Sequence, residues 1–163
     1  MRIAAEEVRA IIGKYSDMVL KIAYQNTRDL QESEDIVQEV FLALFSRPLI
    51  KDEEHLKAWL IRVTLNKSRS FLRSARRKVL PLDESLAPAE RLAPEPSFAR
   101  DEVLEQLFSL PEAERNALYL HYYEGYSAKE IGKFLKRSEN AVYILLSRGR
   151  AKLKELLKED EDD

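Results

Sequence analysis

Residues 126–153 read Tyr-Ser-Ala-Lys-Glu-Ile-Gly-Lys-Phe-Leu-Lys-Arg-Ser-Glu-Asn-Ala-Val-Tyr-Ile-Leu-Leu-Ser-Arg-Gly-Arg-Ala-Lys-Leu. The pattern predicts two short helices joined by a tight polar turn, the layout of a helix-turn-helix. Ser127 followed by Glu130 forms a capping box that opens the first helix. Gly132 is small enough for close helix approach, and Lys136-Arg137-Ser138 supplies the turn and the next N-cap. On the second helix Val142, Leu146, Gly149 and Leu153 fall on one face. Asn140, Ile144, Ser147 and Ala151 fall on the opposite face, with Tyr143 and Arg148 at its edges. A helix of this kind is shaped to lie in the major groove of DNA. An isoleucine on the outward face suits either a thymine methyl or a protein neighbour. A helical hairpin with no DNA role would show the same caps and stripes, so a second feature is needed.

That feature lies upstream. From Lys57 to Lys78 the chain holds eight cations and no acid: Lys57, Arg62, Lys67, Arg69, Arg73, Arg76, Arg77 and Lys78. Arg62, Asn66, Arg69, Arg73 and Arg77 advance by steps of three or four and form one polar stripe along a helix. Guanidinium groups on a rigid helix suit phosphate contacts, and the Asn66 amide offers a donor and an acceptor to a base edge. Cations are favourable at any helix C-terminus, but eight without an acid exceed that need. The net charge of −2 hides this pattern, because the acids collect in 29–39, 52–54 and 159–163. Local fields, not the sum, steer a polyanion.

The 163 residues allow one domain or two small ones, and 45% apolar residues support a packed core. With 34% charged residues and only 4 Gly, helices with solvated faces are expected, and no convincing strand or internal repeat appears. Four of the six prolines fall between Pro81 and Pro96, where neither helix nor strand can continue. The expected fold is all-α: two small helical domains joined by a proline-rich linker, the second containing the helix-turn-helix. The boundaries are 1–78 for the first domain, 79–97 for the linker, 98–158 for the second domain and 159–163 for an acidic, disordered tail. Fully extended, the linker spans about 65 Å, close to two turns of B-DNA at roughly 34 Å each.

Three helices are expected in the first domain. The first carries Val8, Ile11, Ile12, Tyr15, Val19, Ile22 and Ala23 at helical spacing. The second begins at Ser33-Glu34-Asp35 and buries Val37, Val40, Phe41 and Leu44. The third begins near Asp52 and turns Leu56, Trp59, Leu60 and Val63 inward. Beyond the linker, Leu104, Leu107 and Leu110 precede Pro111, which suits a helical first turn. That helix holds Leu118, Leu120, Tyr122 and Tyr123 and ends at Gly125.

Asp35, Gln38, Glu39 and Leu42 share the side of the second helix opposite its buried stripe. A leucine among acids and an amide suggests a protein-docking face. Catalysis finds little support: His55 and His121 are isolated, with no nucleophile pattern, phosphate loop or metal-ligand spacing nearby. No cofactor is expected. With 0 Cys there is no thiolate metal site or disulfide framework. No run approaches the roughly 20 apolar residues of a membrane span, and the N-terminus lacks a secretory apolar stretch. A cytoplasmic, non-enzymatic protein is expected.

Together these motifs resemble bacterial RNA polymerase sigma factors. The resemblance rests on Asp35-Ile36-Val37-Gln38-Glu39-Val40-Phe41, on Trp59-Leu60-Ile61-Arg62-Val63 with Asn66, and on Leu110-Pro111. Tyr123-Glu124-Gly125-Tyr126-Ser127 with Glu130-Ile131 completes it. It covers residues from about 8 to 157, and the two-domain build is similar to the extracytoplasmic-function class. It implies a subunit that binds core RNA polymerase, directs it to promoter DNA and assists strand opening. Asp35, Gln38, Glu39 and Leu42 would bind the clamp helices of the largest polymerase subunit. Arg62, Asn66, Lys67, Arg69, Ser70 and Arg73 would engage the minus-ten element, and the loop 46–54 would capture a flipped base, at a few kcal/mol of unstacking. Ser127, Lys129, Asn140, Tyr143, Ile144, Ser147 and Arg148 would engage the minus-thirty-five element. An anti-sigma protein is a further implied partner. Ser70 stands where family members often carry Asp, and Tyr143 and Leu145 occupy positions that are frequently basic or polar. Two rivals are a free-standing helix-turn-helix regulator, dimeric on a palindrome, and a purely protein-binding helical adaptor.

Overall fold

The computed structural model describes residues 5–46, 52–78 and 102–162, without the side chains of 5, 75–78, 102 and 159–162. The described residues are almost wholly helical, with no strand among them. They fall into two compact units divided between Pro96 and Ser97. The expected linker, 79–97, lies outside the described residues, as does most of the loop 46–54.

In the first unit α1 (Ala5–Thr27) packs against both α2 (Leu30–Phe45) and α3 (Glu53–Lys78). Its core-facing stripe is Val8, Tyr15, Met18, Val19, Ile22 and Ala23, while Ile11 and Ile12 are half-buried. Arg28 takes a left-handed φ of 58° and turns the chain into α2.

That helix starts a turn earlier than expected. Asp29 is its N-cap, with Oδ1 accepting the Glu32 N–H at 3.1 Å. Ser33 is fully buried instead, its hydroxyl donating to the Asp29 carbonyl at 2.7 Å and meeting the Thr27 hydroxyl at 2.9 Å. Both Asp29 and Ser33 have cap chemistry. The corner between α1 and α2 decides between them, because it buries Ser33 where it can bond to Thr27 and Asp29 together. The buried stripe shifts with it to Ile36, Val40, Phe41 and Leu44, leaving Val37 half-buried.

Helix α3 begins near Asp52 as expected, and Asp52 caps it, accepting the His55 N–H at 2.7 Å. Glu53 ties this end to α1: Tyr15 Oη donates to its carboxylate at 2.9 Å and Lys14 pairs with it. Leu56, Leu60, Ile61, Thr64, Leu65 and Ser68 are buried, whereas Trp59 and Val63 are only half-buried. The inward face therefore lies further round the helix than the sequence stripe placed it. Thr64 and Ser68 satisfy their hydroxyls on carbonyls one turn back, at 2.6 and 2.8 Å. Gln25 does not: it is 1% exposed and neither amide atom has a hydrogen-bond partner.

The second unit comprises α4 (Glu102–Leu107), α5 (Glu112–Tyr122), α6 (Ala128–Leu135) and α7 (Glu139–Asp162). Pro111 lies one residue before α5 and its carbonyl accepts the Arg115 N–H at 2.9 Å. The other three helices all pack on α5, so the run Asn116–Leu120 is buried right round. Tyr119 fills the core, whereas Tyr122 is exposed and Tyr123 half-buried. Gly125, at φ 76°, reverses the chain so that the Tyr126 N–H reaches the Leu120 carbonyl at 3.0 Å. Only glycine adopts that φ without strain.

Glu114 is 6% exposed and accepts both bonds of Lys152 Nζ at 2.9 Å, which joins α5 to α7. Helix α7 continues to Asp162, so the expected disordered tail at 159–162 is helical backbone. The Lys- and Glu-rich run 152–159 has the propensity to carry the helix on.

Candidate functional site

The helix-turn-helix is built as its sequence requires. Ser127 Oγ accepts the Glu130 N–H at 3.2 Å, and the Glu130 carboxylate accepts the Ser127 N–H at 3.1 Å. The Ser127 N–H, the Ser127 side chain and, after them, the nearby Lys133 cation act on the Glu130 carboxyl and hold it below its ordinary value of 4.5. Lys136 ends α6 in the left-handed region, at φ 57°. Ser138 Oγ then accepts the Ala141 N–H at 3.1 Å and starts α7. Gly132 is needed for the turn itself rather than for helix approach: a Cβ there would sit 2.5 Å from the Arg137 carbonyl oxygen. Close helix approach belongs to Gly149, where a Cβ would lie 2.8 Å from Leu118 Cδ1.

This turn sets which side of α7 faces outward. Val142, Leu146 and Gly149 are buried and Leu153 is half-buried. Asn140, Tyr143, Ile144, Ser147 and Arg148 are all exposed, with Tyr143 at 54% and Ile144 at 51%. Tyr143 is steadied by Glu139, whose carboxylate lies 3.4 Å from its hydroxyl. Ser127 and Lys129 are exposed at the start of α6. The structure thus brings all seven sequence-predicted residues of this region to the surface of one helix pair.

On α3, Arg62, Asn66, Ser70 and Arg73 are exposed and Arg69 is half-buried, along the side opposite Thr64 and Ser68. Arg77 lies among residues whose side chains are not described. Lys67 does not join this group. At about 100° per residue it lies roughly 140° round the helix from Arg62. It faces α2, where its Nζ donates to Glu39 Oε2 at 3.3 Å.

On α2, Asp35, Gln38, Glu39 and Leu42 are all exposed, and Leu42 is 65% accessible. Sequence reasoning missed Phe45, which is 58% exposed one turn beyond Leu42 and extends this face. The spacing 35, 38, 42, 45 carried that signal. It also missed an apolar groove of about 760 Å³ in the second unit, floored by Leu107, Leu118 and Leu153 and edged by Arg150, Lys154 and Lys158.

His121 is a packing residue, its Nδ1 2.8 Å from the Tyr126 carbonyl and its ring edge-on to Tyr122. Among the described residues no group of His, Cys, Asp or Glu could hold a metal, and no helix is long and apolar enough to cross a membrane.

A helix-turn-helix unit and a three-helix unit with a cationic stripe define an all-α, two-unit DNA-binding protein. Residues 11–78 match the family model described as Sigma-70 region 2, and residues 100–153 match that of Sigma-70, region 4. The ECF RNA polymerase sigma factor SigL of Mycobacterium tuberculosis is 30% identical over 141 residues, covering 83% of this chain and 80% of that protein. The probable RNA polymerase sigma factor RfaY of Xanthomonas campestris is 35% identical over 151 residues, or 86% of this chain. This chain spans only 38% of that relative's length. The sigma factor RpoE of Bartonella quintana, solved in complex with the anti-sigma factor NepR, shares the fold. Its TM-score is 0.74 at 22% identity, covering 94% of this chain and 98% of that one. The chain belongs to the sigma-70 family, in its extracytoplasmic-function class.

Proposed function

We propose that this chain is a cytoplasmic, non-enzymatic sigma factor that binds core RNA polymerase, directs it to specific promoters and assists promoter melting. The observation that carries the reading is the outward face of α2, where Asp35, Gln38 and Glu39 surround the exposed Leu42. That face supports docking on a basic and apolar partner, the clamp helices of the largest polymerase subunit. The first domain, 1–78, also presents Arg62, Asn66, Arg69, Ser70 and Arg73 to the minus-ten element, with Lys67 at its flank. The second domain, 98–158, presents Ser127, Lys129, Asn140, Tyr143, Ile144, Ser147 and Arg148 to the minus-thirty-five element. Residues 79–97 link the two, and an anti-sigma protein would restrain the free chain. A free-standing dimeric regulator has no use for a docking face on the unit that carries the cationic stripe.

Co-elution with core polymerase tests this reading. Leu42→Arg should weaken binding roughly ten- to hundredfold, the worth of burying one leucine at about 1.5–3 kcal/mol. In transcription with core enzyme, Arg73→Ala should lower promoter-complex stability and flatten its log–log salt dependence by about one unit. Tight promoter binding by the chain alone, unchanged by core, would instead establish the free-standing regulator.

A further inference from the structure

One contact joins two surfaces that the function uses separately. Glu39 belongs to the outward face of α2, and Lys67 is one of eight cations between Lys57 and Lys78. Yet Lys67 turns away from the exposed stripe and donates to Glu39 at 3.3 Å. Both groups remain open to solvent, Lys67 at 32% and Glu39 at 57%, so either can be drawn off by a competing charge. In the free chain each charge neutralises the other. A carboxylate paired to a lysine is a poorer acceptor for a basic partner, and a lysine paired to a carboxylate releases no counterion from DNA.

We propose that the Glu39–Lys67 ion pair is a latch that makes polymerase docking and DNA engagement mutually reinforcing; the proposal rests on the functional reading above. A cationic group on polymerase takes Glu39 and frees Lys67 to contact the phosphate backbone of the opened strand. By reciprocity, a phosphate that takes Lys67 frees Glu39 for polymerase, with the same coupling factor. The pair is exposed, so the factor is small, about two- to fivefold. Lys67 is thereby assigned a conditional role, distinct from Arg62 and Arg73 on the open stripe.

The test measures core polymerase binding without DNA. Lys67→Gln should tighten binding of the full chain two- to fivefold, because Glu39 is then unpaired. Lys67→Arg, which keeps the pair, should bind as wild type. In a Glu39→Gln background, Lys67→Gln should have no effect, and Arg62→Gln controls for the general loss of one positive charge. Lys67→Gln effects equal in both backgrounds, or no tightening, would overturn the latch.

A second arm uses the free chain and a single-stranded oligonucleotide at low salt. Glu39→Gln should steepen the log–log salt slope by about 0.7, the increment for one phosphate on a single strand. The gain should vanish when Lys67→Gln is added; an unchanged slope in Glu39→Gln alone sinks the idea. Failure of wild type to bind core at all would reject the functional reading, and the oligonucleotide arm would still decide the latch.

Discussion

Replacing Gly132 with alanine separates helix propensity from the geometry of the turn. Alanine in the middle of α6 should gain about 1 kcal/mol of helix propensity. Against this, its Cβ would lie 2.5 Å from the Arg137 carbonyl oxygen and 3.6 Å from that carbonyl carbon. Carbon–oxygen contacts begin near about 3.3 Å, so the turn must retreat by roughly 0.8 Å. The oxygen is backbone and cannot rotate aside, and the Arg137 N–H is bonded to the Gly132 carbonyl at 2.9 Å. Overpacking of this kind costs about 1–3 kcal/mol, and with a backbone oxygen as the obstacle the upper half of that range applies, leaving a net loss of roughly 1–2 kcal/mol. For a unit of this size that lowers the melting midpoint by roughly 4–16 °C. Gly13→Ala is the matched control, because no atom lies within 4 Å of its Cβ; there about 0.5–1 kcal/mol should be gained. The single Trp59 reports the first unit, while five of the seven tyrosines lie in the second. Tyrosine near-ultraviolet signal and amide exchange in α6 and α7 should therefore move in Gly132→Ala, while Trp59 fluorescence should not. Unaltered exchange protection across α6 and α7 would refute the reasoning, since the turn would then have room that the geometry denies it.

Gln25→Met should stabilise the first unit by about 1–2 kcal/mol, read as a higher urea midpoint by Trp59 fluorescence, because a buried amide without partners costs its desolvation. Lys152→Met should destabilise the second unit by about 1–3 kcal/mol, since Glu114 is left buried and uncompensated; Lys152 itself is half exposed, which keeps the loss below that of a fully buried pair. The Glu114→Gln/Lys152→Met double variant should recover most of that loss in the same denaturation assay. The Glu130 carboxyl titrates lower when folded, so its contribution is present above its unfolded value near 4.5 and is lost as pH falls through the folded value. Glu130→Gln should therefore melt below wild type near neutral pH, with the gap closing as the pH drops past that window.

The caps around α6 were legible, because Ser127, Glu130 and Ser138 act on backbone groups within three residues of themselves, whereas Gly132 was read as a helix-approach residue and serves the turn. Local bonds are written in local sequence. What the sequence did not show is where two helices meet. Ser33 looked like a helix start and is a buried hydroxyl at a corner; Ile36, not Val37, fills the core beneath it. Periodicity gives a stripe but fixes its centre only to within about one residue, or 100°. That uncertainty turned Trp59 inward, where the structure leaves it half-buried; Lys67 joined the minus-ten set only through the family resemblance, and α2 holds it at the flank. Tyr119, which fills the core, was not singled out, since α5 is packed on most sides and shows no clean stripe.

The exposed apolar side chains are the features that the fold itself does not explain. A single leucine at a surface is ordinary, but Leu42 and Phe45 lie three residues apart on one face of α2, and Tyr143 and Ile144 adjoin on α7. All four are more than half exposed, so removing any one should change stability by no more than about 0.5 kcal/mol. Covered by a partner, each large side chain would contribute about 1.5–3 kcal/mol. Substituting Phe45 or Ile144 with Ser in the full chain should therefore leave urea midpoints near wild type. The two should still fail differently: Phe45→Ser at polymerase binding, and Ile144→Ser at upstream duplex recognition by the assembled complex. An Ile144→Ser protein that unfolds early would mean that α7 uses this residue for packing, and the outward face would then have to be redrawn around Asn140 and Arg148.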